Sequence, residues 1–141
     1  MTGLEICAAA EADIQSVLDL WQLAESPPSA TDDNGSLGQL LERDPGALLL
    51  AEADGDIVGS LIAAWDGWRG SFYRLAVNPE SRRRGIATAL IRAGENRLRA
   101  LGASRLTAIV AENEVAAMAL WRSAGYERQA EVGRFVRMLT E

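Results

Sequence analysis

The hydrophobic period of this sequence changes several times along the chain, and that succession restricts the fold more than any other feature. Apolar residues at helical spacing predict helices in the segments 11–26, 37–41, 86–101 and 113–124. Short apolar runs predict strands over Ile6–Ala10, Ala47–Ala53, Ile57–Trp65, Ser71–Val77 and Leu106–Val110, with one or two more over Glu127–Met138. The order β-α-α-β-β-β-α-β-α-β predicts an α/β (α+β) fold, a mixed sheet with helices on both faces.

Turn-forming residues mark where these segments end. We expect the first helix to end near Pro27-Pro28, before a loop over Ser29–Ser36. Asp54-Gly55-Asp56 predicts a tight hairpin, and residues 66–70 predict a second turn. Because no linker or repeat interrupts the pattern, 141 residues with 48% hydrophobic content predict one domain over residues 1–141.

The content of cysteine and histidine excludes several classes of site. The single Cys7 cannot form an internal disulfide, which is typical of a reducing compartment. Without histidine, serine–histidine triads, cysteine–histidine pairs and most zinc sites are excluded, so we expect no metal. No apolar run approaches the roughly 18 residues of a membrane span, and the N-terminal pattern is not that of a signal peptide. We therefore expect a cytoplasmic protein without a membrane partner.

Charge is divided unevenly along the chain, although the net value is −6. Residues 1–66 contain 13 acidic residues and one basic residue, a balance of −12, whereas residues 67–141 contain 13 basic and seven acidic residues, a balance of +6. The second half is therefore expected to face an anion. All 14 basic residues are arginine, so compositional bias is an equal alternative. A pI of about 4.7 argues against nucleic acid as a partner.

The strongest local signal is a strand, a turn and a glycine-containing helix start over Leu75–Thr88. A helix N-terminus presents unpaired backbone N–H groups and the positive end of the helix dipole, which favour a phosphate. Gly85 and Ala87 remove side-chain bulk there, and three successive arginines, Arg82, Arg83 and Arg84, supply positive charge. The segment predicts an anion site, with a solvated basic helix start as the alternative.

Arg82, Gly85 and Ala87 also fill the fixed positions of a known pattern. The stretch resembles the acyl-CoA signature of the GNAT superfamily of N-acyltransferases, and residues 117–126 resemble its second CoA-side motif. The order of elements is similar over nearly the whole chain. The resemblance implies a largely antiparallel sheet of six to seven strands, flanked by about four helices, with a central splayed parallel pair formed by Tyr73–Val77 and Leu106–Val110.

The same resemblance implies an activity and its ligands. The chain would be an N-acetyltransferase that uses acetyl-CoA as co-substrate and acts on a small cationic amine or a protein N-terminus, as a monomer or homodimer. The pantetheine arm would pair with the strand backbone, a backbone N–H there would stabilise the oxyanion, and the pyrophosphate would bind the helix-start amides. The implied cofactor-binding residues are Leu75, Ala76, Val77, Arg82, Arg83, Arg84, Gly85, Ile86, Ala87, Thr88, Asn113 and Ser123.

Departures from the family pattern concern catalysis. Trp121 stands where relatives often have a tyrosine, and an indole N–H can donate a hydrogen bond but cannot release its proton near neutral pH. The strand-five carboxylate used by ribosomal-protein alanine acetyltransferases would fall on Ala108. Tyr73, Glu112 or Glu114, and water therefore stay open as the base or polar group. A catalytically inactive acyl-CoA-binding or sensing module of the same fold is the alternative function.

Specificity is expected in the second turn and in the loop Ser29–Ser36. Trp65 and Trp68 flank Asp66, with Arg69 following, so the turn could form an aromatic, acidic mouth that suits a cationic amine. The alternative is a surface hairpin turn whose tryptophans pack on their own strands.

Overall fold

The structure is a computed structural model that describes residues 3–24 and 29–139. The predicted helix end at Pro27-Pro28 lies outside the described residues. The chain divides into two compact units, Met1–Ile109 and Val110–Glu141. The elements of the first unit are β1 (Leu4–Ala8), α1 (Ile14–Leu23), α2 (Asn34–Arg43), β2 (Leu48–Ala53), β3 (Asp56–Trp65), β4 (Gly70–Val77), α3 (Ile86–Leu101) and β5 (Leu106–Ala108).

The five strands of the first unit form one sheet in the order β1-β2-β3-β4-β5. Neighbours are antiparallel except β4 and β5, which are parallel and pair only where Gly70–Phe72 face Leu106–Ala108. A last, long bond of 3.4 Å runs from the Ile109 N–H to the Phe72 carbonyl. Strand β4 continues to Val77 without β5, so the parallel pair opens after its first three residues.

Helices cover both faces of the sheet, as the alternation along β3 shows. Ile62 belongs to the core cluster that Val17, Leu20 and Trp21 of α1 share with Leu37 and Leu41 of α2. On the opposite face, a Cβ placed on Gly94 of α3 would meet Leu61 and Ala63 at 3.4 Å. Successive strand residues point to opposite faces, so one apolar strand supplies two cores. Within the described ranges, none of the helices is long and apolar enough to cross a membrane.

Helix α3 approaches the sheet closely because glycines stand at the contact. A Cβ on Gly94 would lie 2.6 Å from Cε1 of the buried Phe72, and one on Gly59 would lie 3.0 Å from side-chain atoms of Ile86 and Leu90. Neither distance leaves room for a side chain. These contacts place the start of α3 beside the end of β4.

A β-bulge interrupts the pairing of β3 with β4. Ser60 faces Ala76 and Ile62 faces Tyr73, so β4 uses one residue more than β3 over this stretch. Arg74 lies in the bulge with a φ of 56°, in the left-handed region that non-glycine residues seldom adopt. The extra residue inverts the alternation, because Phe72 packs under α3 whereas Ala76 joins the α1–α2 core.

The predicted six to seven strands are wrong for the described chain, which has five. Strand β5 ends at Ala108 rather than Val110, and β1 spans Leu4–Ala8 rather than Ile6–Ala10. Helix α2 begins within the predicted loop, because the Asp33 carboxylate accepts a hydrogen bond from the Ser36 N–H at 2.7 Å and caps the helix.

The second unit contains one regular element in its described part, α4 (Val115–Ser123). Residues 124–139 form no strand, so the strands predicted over Glu127–Met138 are wrong there. Strand propensity measures how well side chains fit a paired, half-buried surface, and these residues have no neighbouring strand to pair with in the described unit. Phe135 is accordingly 98% exposed.

Candidate active site

The open end of β4 leaves backbone donors facing the side that β5 no longer covers. The Asn78 N–H donates to the Val58 carbonyl at 2.8 Å, and Ala76 faces Ser60 on the same neighbouring strand. Because peptide directions alternate along a strand, the N–H groups of Leu75 and Val77 point away from β3. Among the described residues, no strand pairs with them on that side. The split can therefore take an extended ligand backbone or an oxyanion.

The link from β4 to α3 is short and internally hydrogen-bonded. The Asn78 side-chain oxygen accepts from the Glu80 N–H at 2.9 Å, and the Asn78 carbonyl accepts from the Ser81 N–H at 2.8 Å. This 3₁₀ turn, Pro79–Ser81, returns the chain toward α3. Together with the close contact of α3 at Gly59, it fixes the helix start next to the split.

The start of α3 has the features of an anion site. Gly85 is the N-cap with a φ of 78°, and Arg83 also has a positive φ, of 66°. A Cβ on Gly85 would meet nothing within 4 Å, so the glycine is required by backbone conformation, while the space above it is open. Ile86, Ala87 and Thr88 are the first helical residues, whose N–H groups have no acceptor within the helix. The side chains of Arg82, Arg83 and Arg84 are exposed around them.

A cluster of side chains that the sequence patterns did not predict lies on the α1 face of the bulge, formed by Trp21, Asp32, Ser60 and Arg74. The Arg74 guanidinium lies 4.4 Å from the centroid of the Trp21 ring and donates to the Asp32 carboxylate at 2.6 Å. The Trp21 indole N–H donates to the buried Ser60 hydroxyl at 2.8 Å, and that hydroxyl lies 3.4 Å from the Arg74 carbonyl. The bulge is thus connected to α1 at both its backbone and its side chain.

Tyr73, a candidate for the polar group near the reaction centre, lies on β4 directly before the bulge. It pairs with Ile62 and is 40% exposed. Directly opposed residues of an antiparallel pair share a face, so Tyr73 lies on the α1 face, next to Arg74. Its proposed role stays a prediction.

The turn Trp65–Gly70 lies at the opposite end of β4 from the α3 start, where β4 and β5 are still paired. The Asp66 carboxylate accepts hydrogen bonds from the N–H groups of Arg69 at 2.7 Å and Trp68 at 2.8 Å, which lower its pKa. Trp68 is 68% exposed, with the Arg69 guanidinium stacked 3.9 Å from its ring centroid. The carboxylate therefore builds the turn, while the contribution of Trp65, Trp68 and Arg69 to an acceptor mouth stays a prediction.

We expect Asp66→Ala to lower the urea midpoint of unfolding at neutral pH, because both turn hydrogen bonds lose their acceptor. The pKa of Asp66 is depressed in the folded state, so its stabilisation is complete above the ordinary aspartate pKa of about 3.9 and is lost as the pH falls through the lower folded value. The gap between the two proteins should therefore close on acidification. A gap that is the same at pH 7 and at the lowest pH where both proteins fold would contradict this.

The remaining candidate residues lie in the second unit. Trp121 is buried, and its ring meets Tyr126 edge-on with centroids 5.0 Å apart. Glu112 is exposed and pairs with Arg128 at 2.5 Å. The Ser123 hydroxyl donates to the Leu120 carbonyl at 2.7 Å. Asn113 is exposed two residues before α4 begins. The catalytic role of Trp121 and Glu112, and CoA binding by Asn113 and Ser123, stay predictions.

Comparison with known proteins decides the family. The profile of the acetyltransferase (GNAT) family matches residues 14–126, which include the split strands, the arginine-rich helix start and α4. The chain belongs to this family. The GNAT resemblance that the sequence predicted is confirmed, as is acetyl transfer as the broad class of activity.

Curated relatives and solved structures agree with the GNAT assignment. An acetyltransferase of Pectobacterium atrosepticum is 36% identical over 124 residues, 88% of each chain. One of Yersinia enterocolitica is 33% identical over 138 residues, 98% of each chain. Ard1 from Thermoplasma volcanium superimposes with a TM-score of 0.81 at 19% identity, covering 90% of this chain and 84% of that one. The aminoglycoside N-acetyltransferase AAC(6′)-Iy, solved in complex with CoA, gives 0.76 at 19% identity and covers 99% and 97%.

Proposed function

We propose that this protein transfers the acetyl group of acetyl-CoA to a primary amine, a small cationic amine or a protein N-terminus, by direct attack in a ternary complex. The observation that carries the proposal is the opening between β4 and β5 directly beside the start of α3. One end of the opening offers unpaired strand amides, and the other offers helix-start amides with exposed arginines. Their order matches a molecule with an amide-containing arm at one end and phosphates at the other.

The pantetheine arm has the hydrogen-bonding groups of an extended peptide, so it can pair with β4 where β5 has ended. Leu75 and Val77 turn their N–H groups to that side, and Ala76 between them is paired with β3. The pyrophosphate then falls to the amides of Arg83–Thr88, and the guanidinium groups of Arg82, Arg83 and Arg84 balance its charge. A structural neighbour, AAC(6′)-Iy, was solved with CoA, which supports this assignment.

The chemical step needs few protein groups. The amine nitrogen attacks the thioester carbonyl carbon, the carbon–sulfur bond breaks, the departing CoA thiolate takes up a proton, and the nitrogen loses one. Donors fixed where negative charge develops on the carbonyl oxygen lower the barrier, and one of the two open amides, that of Leu75 or that of Val77, is such a donor, while the other pairs with the pantetheine arm. Holding both reactants in the split in the correct orientation lowers the barrier further.

Proton transfer is the part of the mechanism with more than one candidate. Tyr73 is accessible on β4 beside the bulge, and Trp121 can donate a hydrogen bond but not a proton. Glu112 is exposed and paired with Arg128. An amine that arrives partly neutral needs little help from a base, so water held by the strand carbonyls is sufficient in this proposal.

We propose that the chain acts as one domain over residues 1–141, in the cytoplasm, as a monomer or homodimer, without a metal, nucleic acid or membrane partner.

The deciding experiment is a calorimetric titration of the protein with acetyl-CoA, followed in the same preparation by a thiol-release screen over polyamines, amino acids, aminoglycosides and short peptides. We expect saturable binding, and thiol release that requires both protein and one class of amine. Omitting the amine measures hydrolysis, and omitting the protein measures the uncatalysed reaction. Absence of binding at millimolar acetyl-CoA would contradict the assignment.

The titration also separates the alternative function. Tight binding of acetyl-CoA without thiol release for any amine would favour an inactive CoA-binding or sensing module. The observation that suggests this alternative is Trp121 at the position where relatives often have a tyrosine. Recovery of thiol release in Trp121→Tyr would then identify the missing proton donor.

A further inference from the structure

Arg74 connects strand β4, at the bulge, with the loop that precedes α2. Its backbone forms the bulge where the split begins, one residue before the open amide of Leu75. Its side chain crosses to the α1 face and ends between the Trp21 ring and the carboxylate of Asp32. A residue in this place connects the reacting strand to the loop before α2.

Asp32 forms hydrogen bonds both to Arg74 and within its own loop, Ser29–Asp33. The carboxylate oxygen that accepts from Arg74 also accepts the Ser29 N–H at 2.8 Å, and the Asp32 N–H donates to the Ser29 carbonyl at 3.1 Å. The loop therefore forms a closed turn around the acid, and Arg74 holds that turn against the strand.

The environment strengthens this link compared with a surface ion pair. The side chains of Arg74 and Asp32 are 18% and 15% exposed. Burial lowers the pKa of Arg74 and the nearby Asp32 charge opposes the change, while an arginine stays protonated in either case. The Trp21 ring adds a cation–π contact at 4.4 Å, and its N–H binds the Ser60 hydroxyl that lies beside the Arg74 carbonyl.

We propose that Arg74 is a positioning residue for the amine acceptor: through Asp32 and Trp21 it holds the loop Ser29–Asp33 beside the bulge and so fixes the wall against which the amine is aligned. The inference rests on the proposed function, in which CoA takes the side of the open amides; it adds that the amine reaches the bulge from the α1 face, where Arg74 meets Trp21 and Asp32. Because Arg74 neutralises Asp32, this wall acts through its shape rather than through a negative charge.

The test compares Asp32→Asn, Arg74→Gln and the double variant with the wild type, using whichever of spermidine, an aminoglycoside or a tripeptide the wild type acetylates best. We expect each single variant to raise the KM for the amine about ten-fold while the KM for acetyl-CoA changes less than about two-fold. The double variant should be no worse than either single one, because both remove the same link. Glu95→Gln is the matched control, since it neutralises the acid of another ion pair, Arg92–Glu95 on α3, whose Glu95 side chain is 12% exposed.

A purely electrostatic effect would change the amine KM of the two single variants in opposite directions. If the local charge acted directly on a cationic amine, Asp32→Asn would raise the KM and Arg74→Gln would lower it, and opposite shifts would overturn the positioning role. An unchanged amine KM in both variants would overturn it as well.

Hydrogen exchange gives a readout that does not depend on turnover. The amides of Asp32, Ser36 and Leu37 are hydrogen-bonded within or directly after the loop, and their exchange should become faster by the same factor in both single variants. Unchanged exchange would overturn the inference even if transfer is active. Failure of the wild type to acetylate any amine would instead overturn the proposed function, and exchange would then report the loop contact separately.

Discussion

Replacing Arg82 and Arg84 together by alanine should weaken acetyl-CoA binding about 100-fold. Both side chains are exposed at the start of α3, beside Gly85 and the first helical amides. Charge-assisted hydrogen bonds contribute roughly 1.5–3 kcal/mol each, and the removal of both leaves only Arg83 and the amides to hold the anion. Calorimetric titration at fixed ionic strength measures the change directly.

Arg99→Ala is the matched control for that pair. Arg99 is an exposed arginine of the same helix, located in its last turn, where it binds the Asn96 side-chain oxygen at 3.0 Å. It should leave the affinity for acetyl-CoA within about two-fold, because it lies roughly 20 Å along the helix from Gly85. Equal losses in both proteins would point to general charge, and no loss in either would remove the phosphates from this helix start.

Gly94→Ala should cost about 2 kcal/mol of the free energy of unfolding, even though alanine is the better helix former. The added Cβ would lie 2.6 Å from Cε1 of Phe72, which is 1% exposed and packed beneath α3. Overpacking of this kind costs roughly 1–3 kcal/mol, whereas the gain in helix propensity is at most about 1 kcal/mol. Urea unfolding followed by circular dichroism measures the difference.

Gly38→Ala tests the same chemical change without the contact. Gly38 lies in α2, and a Cβ there would meet nothing within 4 Å. We expect this variant to be more stable than the wild type by about 0.5–1 kcal/mol. If Gly94→Ala also stabilised the protein, α3 would not be as close to the sheet as the structure places it.

Sequence patterns predicted the elements whose periodicity is local. The helix predicted over residues 86–101 is α3, which buries Ile86, Leu90, Ile91 and Leu98, and Gly102 follows it with a φ of 110°. The hairpin between β2 and β3 lies at the predicted Asp-Gly-Asp turn, where Asp54 and Gly55 both have positive φ. Each of these features depends on side chains near one another in the chain, so a window of residues contains the information.

The same patterns could not predict the contacts of Arg74 with Trp21 and Asp32. Simple alternation from Phe72 would place Arg74 and Ala76 under α3, whereas the bulge moves Ala76 into the opposite core and directs Arg74 toward Trp21. A positive φ at an arginine has no signature in the sequence, and its partners are 42 and 53 residues away in the chain. The sequence did single out the loop around Asp32, as a candidate for specificity.

Strand prediction failed at the end of the chain for a related reason. Val132, Val136 and Met138 have the residue types of a strand, but a strand exists only with a partner to share its hydrogen bonds. The described second unit offers none, and these side chains are 48–67% exposed.

The bulge divides β4 into two parts with different tolerance to change. Residues 70–72 pair on both edges and lie against α3, so a substitution there disturbs the packing of the helix on the sheet. Residues after the bulge pair only with β3 in the described chain and present their other edge to the open split. One additional residue therefore separates a half of the strand that is held on both edges from a half that is held on one edge, so a change at the bulge or in the loop it touches leaves the contacts of the buried half in place.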